Sequence, residues 1–172
     1  MKRQFLFIGA FLICSALNAQ INPIDELFNK YSEREGFTYV SISGRMLSLI
    51  GSLDAEDNPD NLMLRLKSIK ILTENDSLST NKVNFMLELK KNFNVSAYDE
   101  LMVVKEGRDE TLFLIKQIGD RISELLVISG GSGGNSLISI KGDINLKELS
   151  ELSRKTGIEE LEDLEDLKDK PR

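Results

Sequence analysis

The sequence predicts an α+β fold: a single, mainly antiparallel sheet whose last four strands form a meander, with helices packed on one face. Three observations lead there. Apolar residues in the first half recur at helical spacing. After Asp99 the chain reads as four strand-like segments joined by hairpin-length connections, Gly107-Arg108-Asp109, Gly119-Asp120 and Gly130 to Asn135. A chain of 172 residues with 41% hydrophobic content also matches the usual size of one domain with one core.

The first nineteen residues read as a removable export signal. Lys2 and Arg3 open it, Phe5 to Ile13 form a short apolar run, and Ser15-Ala16-Leu17-Asn18-Ala19 brings small residues to a cleavage point before Gln20. The run is too short for a membrane span, which needs about 20 apolar residues. Lipid attachment at Cys14 is disfavoured, because bulky Ile13 stands where a lipoprotein signal needs a small residue. The expectation is an exported protein, periplasmic or secreted, with residues 20–157 as one domain and 158–172 as an acidic amphipathic tail.

Residues 22–35 suit a helix, with Ile24, Leu27, Phe28 and Tyr31 at helical spacing, Pro23 in the first turn and Gly36 at the end. A strand over Phe37 to Ser43 follows, with Thr38, Val40 and Ile42 on one face. Arg45 to Leu53 returns to helical spacing through Met46, Leu49, Ile50 and Leu53. In the next segment Leu62, Leu64 and Leu66 have one parity, and Ile69 and Ile71 the other. A helix from Pro59 to about Lys67, capped by Asn58, followed by a strand over Ser68 to Leu72, removes that conflict.

Thr80 to Phe93 is expected to be helical, with Val83, Met86, Leu87 and Phe93 on one side. The four strands are Glu100–Glu106, Glu110–Ile118, Arg121–Ser129 and Ser136–Lys141. Asn145 and Glu148 make a capping-box pattern that opens a last helix, ended by Gly157.

Composition excludes several chemistries. The chain has no histidine, and Cys14 in the leader is its one cysteine. Cys-His and Ser-His-Asp catalysis are therefore out, as are the usual zinc, copper and haem ligand sets. Without Lys2 and Arg3 the formal charge of −6 becomes −8, which argues against nucleic acid as a partner. No cofactor is expected, and no catalytic, cofactor-binding or metal residue is assigned.

Three segments invite a functional reading. Gly130-Gly131-Ser132-Gly133-Gly134-Asn135-Ser136 resembles a phosphate cradle, but it has no lysine and leads into a strand, so a hairpin loop explains it better. Asp54, Glu56, Asn58 and Asp60 alternate like a calcium loop, yet Pro59 stands at the glycine position and Arg65 at the bidentate glutamate. A solvated loop is the simpler account. In the acidic tail, Leu161, Leu164 and Leu167 form a narrow apolar stripe that could dock on the parent domain or on a partner. It is weighed against a frayed, charge-solvated end.

As a set, Leu27-Phe28-Asn29-Lys30-Tyr31-Ser32, Glu35-Gly36-Phe37, Ser68-Ile69-Lys70-Ile71-Leu72, Tyr98-Asp99-Glu100-Leu101-Met102 and Leu137 to Ile144 resemble the DUF4252 family of exported Bacteroidota proteins. The resemblance spans about Ile24 to Gly157 and rests on structural residues, so it transfers no active site. It implies an envelope location and hints at a link to envelope stress. The expected function is a non-catalytic binding or interaction module with an envelope protein as partner. A carboxylate-dependent hydrolase of envelope glycans is the alternative, and needs two acids about 5–10 Å apart in a cleft.

Overall fold

The computed structural model describes residues 22–53, 61–75, 83–92, 97–131 and 134–145, together with Glu148, Ile158 and Leu161. In chain order the elements are α1 (Pro23–Tyr31), β1 (Phe37–Ser43), α2 (Gly44–Leu53), a 3-10 turn (Leu62–Leu64), β2 (Leu66–Glu74), α3 (Phe85–Asn92), β3 (Asp99–Glu106), β4 (Asp109–Ile118), β5 (Arg121–Gly131) and β6 (Gly134–Ile144). The six strands make one sheet in the order β1-β2-β6-β5-β4-β3, antiparallel throughout.

Local chemistry sets the first helix. Asn22 caps α1 by accepting from the Ile24 amide at 3.0 Å, Pro23 follows, and Asp25 and Glu26 sit in the first turn. The parity conflict before β2 is resolved differently from the expectation. Among the described residues there is no helix reaching Lys67; Asn61 caps a single 3-10 turn by accepting from the Met63 amide at 3.0 Å. Strand β2 starts at Leu66, and a register shift between Leu66 and Ser68 takes up the change of face. A bulge inserts one residue and so reverses parity, which removes the need for a long helix. Asn58 and Pro59 lie outside the described residues.

Helices cover both faces of the sheet, which corrects the expected one-sided packing. On one face, Ile24, Leu27, Phe28 and Tyr31 of α1 and Phe85, Met86 and Leu89 of α3 pack over Leu72, Leu114, Leu126, Ile128 and Leu137. On the other, Leu47 of α2, Leu62 and Met63 of the 3-10 turn, and Ile158 and Leu161 pack over Ile69, Phe113, Ile115, Leu125, Val127, Ile138 and Ile140. The physical reason is in the central strands. Leu125-Leu126-Val127-Ile128 is apolar at every position, so both faces of β5 need a dry cover.

The core side of α3 also differs from the expectation. Phe85, Met86 and Leu89 are buried, while Leu87 is exposed. The start of α3 is held by Asn135, itself buried, whose Oδ1 accepts from the Phe85 amide at 2.9 Å and whose amide donates to Glu74 and to the Val83 carbonyl. The glycines around it form the β5–β6 hairpin, with Gly130 opposite Asn135 and Gly131 opposite Gly134. A Cβ on Gly131 would stand 2.1 Å from an Asp109 carboxylate oxygen and 2.8 Å from the Arg108 carbonyl. The glycine-rich stretch is thus explained by close packing of two hairpins.

Candidate interaction surface

From Phe37 to Leu53 the chain carries one charged residue, Arg45, although 29% of all residues are charged. The fold turns this stretch into one margin of the molecule. Among the described residues strand β1 is the outermost strand on its side and pairs only with β2, in a regular register of seven residue pairs, Phe37 opposite Glu74 through Ser43 opposite Ser68. Its sequence, FTYVSIS, has no charge and no proline, and Tyr39 and Val40 are exposed. The opposite margin, β3, is protected in the usual ways: Asp99, Glu100, Lys105 and Glu106 are exposed, and its register with β4 shifts between Glu100 and Met102.

Helix α2 follows β1 directly and adds apolar surface. Leu47 and Gly51 are its buried residues. Gly51 faces the 3-10 turn so closely that a Cβ there would lie 2.9 Å from the Leu64 side chain and 3.1 Å from the Met63 Cβ. Met46, Leu49, Ile50 and Leu53 occupy the flank away from that contact, because positions three and four apart share one side of a helix. Leu49 is 60% exposed and Leu53 85%. Helical spacing found this stripe without naming what it faces. The stripe faces solvent, and the core is reached through Leu47 and a glycine. The sequence signal that identifies the surface is the absence of charge across two consecutive elements.

Among the described residues the most buried carboxylate lies elsewhere, beneath α1. Glu124 is 6% exposed and accepts hydrogen bonds from the Tyr98 hydroxyl and the Ser139 hydroxyl, both at 2.8 Å. The Lys141 ammonium lies 3.7 Å from Glu124 and 3.8 Å from Asp25, and Lys70 donates to Asp25 at 2.9 Å. Burial and then the hydrogen bond to Glu124 push the Tyr98 hydroxyl well above its ordinary range. Burial alone would raise the Asp25 carboxyl, but the hydrogen bond from Lys70 and the charge of Lys141 hold it below its usual value. Asp25 and Glu124 would be the pair for a glycan hydrolase. Both Glu124 oxygens are engaged by Tyr98 and Ser139, so the group ties the Tyr98 segment to the sheet, and Lys141 links it to Asp25 of α1.

A second clamp joins α1 to α3. Glu88 accepts from the Lys30 ammonium at 2.7 Å and from the Tyr31 hydroxyl at 2.9 Å. The depression beside it, lined by Pro23, Glu26, Leu27, Lys30, Glu88 and Leu89, holds about 40 Å³. That is room for water, far below the ~300 Å³ of a small-molecule site.

The other residues singled out from the sequence fall as follows. Leu161 is fully buried in the α2-side core, where its amide donates to the Ile158 carbonyl at 3.0 Å. Of the two dockings open to the tail stripe, Leu161 therefore makes the one on its own domain. Leu164, Leu167 and the Asp54–Asp60 loop lie outside the described residues. Half of the capping box is in place, since the Asn145 amide donates to Glu148 at 2.8 Å, and Glu148 also pairs with Arg65; the helix expected to follow lies outside the described residues. Among the described residues no helix is long and apolar enough to cross a membrane.

Fold and surface together define a class: an antiparallel-sheet protein, helix-covered on both faces, with one guarded and one open margin. The chain belongs to the family described as Domain of unknown function (DUF4252), whose model matches residues 31–152, a span that contains all of β1 and α2. No curated protein and no solved structure matches it.

Proposed function

We propose that this chain is a non-catalytic interaction protein of the cell envelope, acting through the margin formed by β1 and α2. The observation that carries the reading is the exposed stripe of Met46, Leu49, Ile50 and Leu53 beside an uncharged edge strand. Contiguous exposed apolar surface is unfavourable in water unless a partner covers it, and such surfaces mark contact sites. The envelope part is supported by the leader pattern of Lys2, Arg3 and the Phe5–Ile13 run, and bulky Ile13 before Cys14 disfavours lipid attachment there. A role in envelope stress is supported by the family resemblance alone.

A photo-cross-linking residue placed at Leu49 or Leu53 in the native host is expected to give discrete protein adducts. The same residue at Leu87 or Ile118, both exposed but distant in the fold, gives none. Equal labelling at all four positions, or no adduct at the α2 positions, overturns the reading.

A further inference from the structure

We infer that the occupant of this margin is a second copy of the chain, its β1 lying antiparallel to β1 about a two-fold axis at Val40. The inference rests on the interaction reading above and names its partner. In the register centred on Val40, Val40 meets its own copy, Thr38 meets Ile42, and Tyr39 meets Ser41. Each pair lies on one face of the sheet, as strand alternation requires. The seven uncharged residues of β1 then overlap end to end, and the joined sheet has twelve strands with β3 at both margins.

Three considerations favour a copy over other occupants. First, a two-fold axis perpendicular to the sheet puts both α2 helices on the same side. Their stripes then face one another across the axis, so one operation covers the open strand and Met46, Leu49, Ile50 and Leu53 together. A lone extended peptide would satisfy β1 and leave the α2 stripe in water. Second, the chain is acidic, at −6 overall, so two copies repel one another on balance; this stretch contains no Asp or Glu, and Arg45 is its one charge. Third, Asp54, Glu56, Asp57 and Asp60 follow the stripe directly in sequence, which disfavours an anionic lipid surface. The contact of one strand and four helix side chains per copy is at the small end of stable interfaces, so the expected Kd is about 1–50 μM.

The test is sedimentation and light scattering on the protein as the cell processes it, from about 1 to 200 μM, a range set by that Kd. A concentration-dependent dimer is expected. Val40→Lys and Leu53→Glu should each weaken it by about tenfold or more, because each puts charge into the contact. Ile118→Glu, on the far end of β4, should leave it unchanged. In a Cys14→Ser background, Val40→Cys should cross-link to itself on oxidation. If Val40→Lys fails to fold by circular dichroism, Leu53→Glu carries the comparison, since that side chain is 85% exposed. A wild-type monomer at every concentration overturns the proposal, as does a dimer insensitive to Val40→Lys and Leu53→Glu. A monomer that still gives heterologous adducts at Leu49 sinks self-pairing and leaves the interaction reading standing. A monomer with no adducts sinks both.

Discussion

Helices α1 and α2 are nearly equal in length, and both carry a clean apolar stripe at helical spacing, yet they meet the sheet differently. In α1 the stripe and the buried face coincide: Ile24, Leu27, Phe28 and Tyr31 all pack into the core. Polar clamps, Asp25 with Lys70 and Lys30 with Glu88, hold its solvent side in place. In α2 the stripe of Met46, Leu49, Ile50 and Leu53 is exposed, and contact with the fold runs through Leu47 and Gly51. The lesson is that helical periodicity reports a surface that needs covering. It does not say whether the cover belongs to the same chain.

The sharpest way to break the contrast is to truncate one residue from each stripe. Phe28→Ala removes a ring that is 1% exposed and should lower stability by about 3–5 kcal/mol in denaturant unfolding. Leu49→Ala should stay within about 0.5 kcal/mol of wild type when measured below the concentration of self-association. Comparable losses at the two sites would mean that α2 is a core helix after all. A smaller effect is expected at the buried acid beneath α1. Glu124→Ala strips the acceptor from Tyr98 and Ser139 and should destabilise by about 1–3 kcal/mol, the range for a buried polar group left without its partner. An unchanged midpoint would show that α1 does not depend on that anchor.

The smallest expected effect is pH-linked. The folded-state pKa of Asp25 lies below its ordinary value of 3.8, so its contribution to stability is present above that value and is lost as pH falls through the folded one. Because the Asp25–Lys70 pair is about one-third exposed, Asp25→Asn should cost only about 0.5 kcal/mol near neutral pH. That deficit should close in acid. Thermal unfolding of both proteins across acidic pH reads it, and a deficit that widens in acid reverses the assigned direction.

Much of the fold was legible because local chemistry and tertiary need agreed. Strand β1 runs from Phe37 to Ser43 as its alternation predicts, and β3, β4 and β5 begin within one residue of the expected starts. Turn glycines with positive φ at Gly107 and Gly119 separate the strands where the hairpin pattern puts them. The helix expected up to Lys67 failed because a parity change has two physical solutions, and a bulge is the shorter one. Asn135 was invisible as a clamp, since its role depends on α3 being delivered to the same end of the sheet from about fifty residues earlier.

By itself, the sequence determined most of the element types, the absence of imidazole and of any thiol beyond Cys14, and a charge-poor stretch from Phe37 to Leu53. These follow from backbone preferences, turn residues and side-chain chemistry, all local properties of the chain. Only the tertiary structure decided that both sheet faces are covered, that β1 is an outer strand, and that the α2 stripe stays in water. Burial depends on which distant elements arrive at the same place, and spacing along the chain carries no record of where they arrive.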